Sequence, residues 1–140
     1  MPPSYDEYCA KCTQLEDKYS KLLDLNYGFE IGIGWLSIIE TFLEKASAYQ
    51  EYIKIVQIKE KFGSLRIYYS YREDDEFEWD DIDSAKKEEI YEMVSSLVHE
   101  AEFKSSIACI GCGTEENVVK RISYDKYCTT CYDSIKTKNR

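Results

Sequence analysis

Cys109-Ile110-Gly111-Cys112 and Cys128-Thr129-Thr130-Cys131 are two CxxC pairs separated by fifteen residues, and no other feature restricts what this chain can fold into as strongly. A two-residue gap lets both sulfurs of a pair face one ion. Two such pairs complete the tetrahedral four-thiolate shell that Zn²⁺ prefers, so Cys109, Cys112, Cys128 and Cys131 are expected to ligate one zinc ion. Gly111 and Gly113 fit this reading, because backbone wrapped around a metal turns tightly and at positive φ glycine meets no Cβ penalty. Two disulfides, or four unpaired thiols, are the alternatives. A closed four-cysteine site is a staple, and it says more about how a chain is built than about what the chain meets.

The 140 residues suffice for one ordinary domain, or for a core of about a hundred residues with a small metal-held appendage. With 44% hydrophobic and 14% aromatic residues and two prolines, a packed core is expected and wholesale disorder is not. No basic N-terminus precedes an apolar stretch, and no run approaches the roughly eighteen apolar residues of a membrane span, so a non-exported, cytoplasmic protein without membrane contact is expected. In a reducing compartment paired cysteines point to metal ligation before a disulfide framework. The net charge of -9 has a local origin: Glu73, Asp74, Asp75, Glu76, Glu78, Asp80, Asp81 and Asp83 stand in eleven residues without one base, and outside that window 19 acids face 18 bases.

Periodicity divides the rest. Tyr8, Leu15, Tyr19, Leu22 and Leu23 recur at helical spacing between Ser4 and Leu25. This helix carries a third pair, Cys9 and Cys12. One tetrahedral ion cannot take six thiolates, so the pair is spare, a disulfide, or half of a second site completed elsewhere. Asn26 to Trp35 reads as a short extended segment leading into a helix. Its Gly32-Ile33-Gly34 lacks the third glycine and the βαβ context of a dinucleotide loop. Trp35, Ile38, Ile39, Phe42, Leu43 and Ala46 form a helical stripe over 35–49. The runs Tyr52 to Lys59 and Leu65 to Tyr71 alternate around a turn near Gly63, which predicts an antiparallel hairpin. After the acidic stretch, Ile90, Val94, Leu97, Val98 and Ala101 share one stripe of a helix between Ser84 and Phe103, with Ser84 at the N-cap.

The order Gly34-Trp35-Leu36, then Val56-Gln57-Ile58-Lys59-Glu60-Lys61-Phe62-Gly63-Ser64-Leu65-Arg66-Ile67-Tyr68, then a helix, then Cys109 to Cys131, resembles a family of small bacterial and phage-encoded proteins. In that family a GW helix, a QIKEKFGGLRFY hairpin and a C-terminal CxxC…CxxC knuckle follow in the same order. The likeness covers most of the chain. It implies a fold and a prokaryotic or mobile-element setting, and it carries over no catalytic residues. Ser64 stands here for the second glycine, which leaves the turn type open.

The expected fold class is α+β: a small antiparallel hairpin or sheet packed against amphipathic helices, with a C-terminal zinc-ribbon-like module built on the four cysteines. The core is expected over 1–104 with its acidic loop at 73–83, and the module and basic tail over 105–140. Catalytic candidates are few. His99, the one histidine, stands on a helix outside any motif and reads as structural or surface. The acidic loop lacks the glycine and final carboxylate of an EF-hand. Its sharper reading is an interface: Phe77 and Trp79 lie among the carboxylates Glu73, Asp74, Asp75, Glu76, Glu78, Asp80 and Asp81, a pattern suited to a protein partner with a basic surface. The tail offers Lys120, Arg121, Lys126, Lys136, Lys138 and Arg140 with Tyr124, Tyr127 and Tyr132 interleaved, a weaker candidate for nucleic acid. The expectation is a non-enzymatic, zinc-containing binding protein, phage or mobile-element encoded, that inhibits a host nucleic-acid-processing or defence enzyme through its acidic surface. A zinc-ribbon nucleic-acid adaptor is the alternative.

Overall fold

A computed structural model describes residues 4–72 and 79–138. Ser4 opens the first helix, α1 (Tyr5–Lys18), where its Oγ accepts the Glu7 N–H at 3.2 Å and satisfies one of the donors that a helix start leaves unpaired. The helix ends earlier than the periodicity suggested. Leu22 and Leu23 leave it to run beside a strand, with Ile55 N donating to Leu22 O and Asp24 N to Ile55 O, both at 2.9 Å. The apolar residues at these two positions serve a strand-like bridge and not a further helical turn.

The stripe expected over 35–49 is present as α2 (Leu36–Ala46), flanked by 3₁₀ turns at Ile33–Trp35 and Ser47–Tyr49. It buries Leu36, Ile39, Phe42, Leu43 and Ala46 on one side. The extended segment before it contributes β1 (Phe29–Glu30), and the expected hairpin forms as β2 (Ile53–Lys61) and β3 (Ser64–Tyr71). Its turn is Phe62-Gly63, with φ of 54° and 81°. Two positive values are what a two-residue type I′ turn requires, and the right-handed twist of the strands favours that type. The sheet has three strands in the order β1-β2-β3. The hairpin is antiparallel, and β1 adds a short parallel edge in which Phe29 faces Ile58. A register shift between Ile55 and Gln57 places an extra residue at Val56. This bulge moves the inward phase from Ile53 and Ile55 to Ile58, so all three reach the core.

Helix α3 (Ser84–Ile107) is capped by Asp83 and not by Ser84. The Asp83 Oδ1 accepts the Lys86 N–H at 2.8 Å, and a carboxylate there also meets the positive end of the helix dipole. The helix packs on α2 and covers the outer edge of β3. Leu65 N donates to Ser105 Oγ at 3.0 Å and Ile67 N to Glu102 Oε2 at 3.2 Å, so strand donors that would otherwise recruit another chain are taken by a helix. Trp35, Ile39, Leu43, Ile53, Ile55, Ile58, Leu65, Ile90 and Val94 form the centre of the core, none more than 1% exposed. Among the described residues no helix is long and apolar enough to cross a membrane. The architecture is α+β, with the four C-terminal cysteines clustered beyond α3.

Candidate metal centre

Past α3 the chain makes the first cysteine knuckle, then a small hairpin of β4 (Lys120–Ile122) and β5 (Asp125–Tyr127), then α4 (Thr129–Lys138). Cys128 ends the hairpin and Cys131 lies in the first turn of α4, which brings the second pair back over the first. The sulfurs of Cys109, Cys112, Cys128 and Cys131 all lie within 4.8 Å of one another, and those of Cys112 and Cys128 are 3.8 Å apart. A tetrahedral ion with bonds of about 2.3 Å to sulfur spaces its ligands by about 3.8 Å. The cluster therefore has the size of a metal shell. None of the four is joined in a disulfide, whose sulfurs would approach to about 2 Å.

Backbone donors prepare the site for negative sulfur. Gly111 N–H points at Cys109 Sγ at 3.3 Å and Cys131 N–H at Cys128 Sγ at 3.4 Å. Burial pushes the Cys109 thiol up, yet the backbone N–H groups around it outweigh burial together and bring it down to about 7. Burial pushes Cys112 and Cys131 the other way, and the neighbouring thiols push Cys131 up further. One sulfur is thus poised to ionise while others resist, and a divalent cation would favour ionisation of all four.

The knuckle is held to the core by close backbone contact. Gly34 N donates to Ile110 O at 2.9 Å, and a Cβ at Gly34 would stand 2.5 Å from Cys109 O and 2.6 Å from Gly113 N. No side chain fits there. The Gly32-Ile33-Gly34 segment, which offered only a fragment of a nucleotide loop, is therefore the seat of the metal knuckle. A second line of contact joins the two hairpin turns, where Ile110 N donates to Lys126 O at 3.0 Å nearby and a Cβ on Gly63 would fall 1.9 Å from Tyr124 O. The sequence carried a signal for this docking in its glycines, but nothing in it named their partners.

The other candidates separate. Glu73, Asp74, Asp75, Glu76, Phe77 and Glu78 lie outside the described residues. Asp80 and Asp81 are exposed in a 3₁₀ turn, Asp80 reaching Lys87 Nζ at 3.9 Å. Trp79 is half-buried: its ring stacks on Tyr71 at 4.5 Å, and its Nε1 donates to the Tyr91 hydroxyl at 3.1 Å. Cys9 is exposed and Cys12 half-buried on α1, and neither belongs to a metal-sized cluster among the described residues. His99 is exposed on α3. In the tail, Lys120 and Lys136 lie 5.6 and 5.2 Å from the centre of the Tyr132 ring, Lys126 Nζ donates to Ser106 O at 2.7 Å at the end of α3, and Arg121 is exposed. The side chain of Lys138, and Arg140, lie outside the described residues. No protein-family model matches the chain, and searches of curated proteins and of solved structures returned no match.

Proposed function

We propose that this is a non-enzymatic binding protein in which the four-cysteine centre holds Zn²⁺ as a structural staple. The observation that carries the reading is the donor set: four sulfurs within 4.8 Å of one another fill a four-coordinate shell, unlike catalytic zinc, which keeps one position open. A tetrahedral set of four thiolates suits zinc or an iron–sulfur centre among biological metals. Elemental analysis of purified protein is expected to find one zinc per chain, reduced by Cys109→Ser. Iron with a visible charge-transfer band, or no transition metal, would overturn the assignment.

The binding function is assigned to the acidic stretch that begins at Glu73. Exposed Asp80 and Asp81 continue it, and eight like charges in eleven residues stabilise nothing by themselves, whereas a partner with a basic surface turns their repulsion into attraction. Within this stretch Trp79 packs on the fold against Tyr71 and Tyr91. The resemblance to small phage and bacterial proteins supports a prokaryotic host, and an acidic surface presented in place of phosphate suits inhibition of a nucleic-acid-processing or defence enzyme. Affinity capture from a nuclease-treated prokaryotic lysate tests this. A protein retained by the wild type and lost when Asp74, Asp75, Asp80 and Asp81 are replaced with Asn is the expected result. Equal capture by both forms would reduce the stretch to a solvated connector.

A further inference from the structure

The two faces of the β2–β3 hairpin meet different surroundings. One sends Ile53, Ile55, Ile58, Leu65 and Ile67 into the core. Strand alternation puts Lys54, Lys59 and Lys61 of β2, with Arg66 and Tyr68 of β3, on the other. Lys59 and Arg66 are direct cross-strand partners. Side chains so placed stand about 5 Å apart at Cβ, and like charges in that position are destabilising. No salt bridge among the described residues ties Lys54, Lys59, Lys61 or Arg66 to a carboxylate, and Glu30, in register with Lys59 on β1, is met at 3.5 Å by Gln57 Nε2.

Aromatic rings lie among these cations. Tyr68 is 41% exposed, and at the hairpin turn Phe62 and Tyr124 are 64% and 57% exposed, their rings edge to face at 5.2 Å. Lys59 Nζ lies 5.6 Å from the Tyr68 ring centre and Lys61 Nζ 5.7 Å from that of Phe62. Phe62 also holds the left-handed backbone conformation, φ 54°, which bulky residues rarely adopt. The fold thus places a large ring in water at the tip of a cationic strip.

We propose that this open sheet face is a platform for single-stranded nucleic acid. Phosphates lying between Lys59, Lys61 and Arg66 relieve the like-charge contact, and unpaired bases stack on Tyr68 and on the Phe62–Tyr124 pair. From Lys54 to Lys61 the strip runs roughly 23 Å along β2, room for a few nucleotides. A duplex fits less well, because its bases are already stacked on one another and leave the exposed rings without partners. An acidic peptide would meet the cations but leave the three rings in water. The net charge of -9 opposes a polyanion at long range, yet at physiological salt exposed charges are screened beyond about 8 Å, so the local face governs contact. The proposal stands independently of any protein partner for the acidic stretch.

The test is fluorescence anisotropy of zinc-loaded full-length protein with labelled oligo(dT) and oligo(rU) of about twenty nucleotides, longer than the roughly 4–16 covered by compact single-strand-binding domains. Binding of either strand is expected, weakening with salt at a log–log slope of roughly -2 to -3 for three or four neutralised phosphates. Lys59→Glu should lower affinity more than about tenfold while leaving the thermal midpoint unchanged or higher, because the new carboxylate faces Arg66. Tyr68→Ala should lower it about fivefold or more without altering the salt slope, since the ring stacks and carries no charge. Lys45→Gln, on α2 away from the sheet face, should bind as the wild type does. The proposal is overturned if neither strand binds at low salt, if Lys59→Glu keeps full affinity, or if polyglutamate displaces the oligonucleotide as effectively as unlabelled oligo(dT). That last result would give the face to an acidic protein.

Discussion

Gly63 meets two demands at once. Its φ of 81° lies in the left-handed region, and the Tyr124 carbonyl oxygen occupies the space a side chain would need. Gly63→Val should therefore destabilise the protein by more than the ~1 kcal/mol usual for a strained turn position, read by urea denaturation. A loss confined to that value would mean that the β4–β5 turn moves aside freely. Across the same junction Asp125 approaches Glu60, whose Oε1 accepts the Gly63 N–H at 2.7 Å. Burial raises the Asp125 pKa, and the Glu60 carboxylate raises it further. An acid whose folded pKa exceeds its unfolded value stabilises the fold below the unfolded value, and that stability is lost as pH rises through the folded one. Asp125→Asn is accordingly expected to raise the thermal midpoint at neutral pH and to have little effect near pH 3, in a melting series across that range. A lower midpoint at neutral pH would show the charged form to be the stabilising one.

Among the elements, α3 performs two tasks with different faces. Ile90, Val94 and Ala101 fill the core, while Ser105 and Glu102 accept donors from β3. Ser105 is fully buried and also donates to Glu102 O at 2.6 Å, so its hydroxyl is satisfied on both sides. Ser105→Ala would strand the Leu65 N–H in a dry site. A loss of about 1–3 kcal/mol is expected, with faster hydrogen exchange at Leu65 as the specific sign. Unchanged exchange there would mean that water replaces the hydroxyl. At the other end of the helix, Tyr91 packs with Tyr71 and Trp79, which joins the end of β3 to the turn that precedes α3.

For the molecule as a whole, the metal module and the core share backbone contacts on two lines, Gly34 with the first knuckle and Gly63 with the β4–β5 turn. Metal binding in such modules is also folding free energy. Chelation is therefore expected to lower the midpoint of the entire chain in one cooperative step, followed by calorimetry with and without chelator. A core transition left in place, with a separate low-temperature transition for residues after 107, would show two independent units.

Ligand spacing and hydrophobic period were enough, from the chain alone, to specify the two CxxC pairs as one centre, the stripes of α2 and α3, and the hairpin around Gly63. These are local properties: a knuckle, a helical face and a two-residue turn each complete themselves within a few neighbours. Other features depended on partners distant in sequence. The parallel strand β1 is two residues long and has no period of its own, and the end of α1 was decided by Ile55 claiming Leu22 and Asp24. The Val56 bulge left a trace, a change of phase between Ile55 and Ile58, but only pairing with β3 gives that change a meaning. The glycines before Trp35 were conspicuous and their purpose was not, because what excludes a side chain at Gly34 is the backbone of Cys109, Cys112 and Gly113, more than seventy residues along the chain. Only the folded sheet could reveal that Lys59 and Arg66 face one another, since cross-strand neighbours are chosen by register and burial and not by order in the sequence.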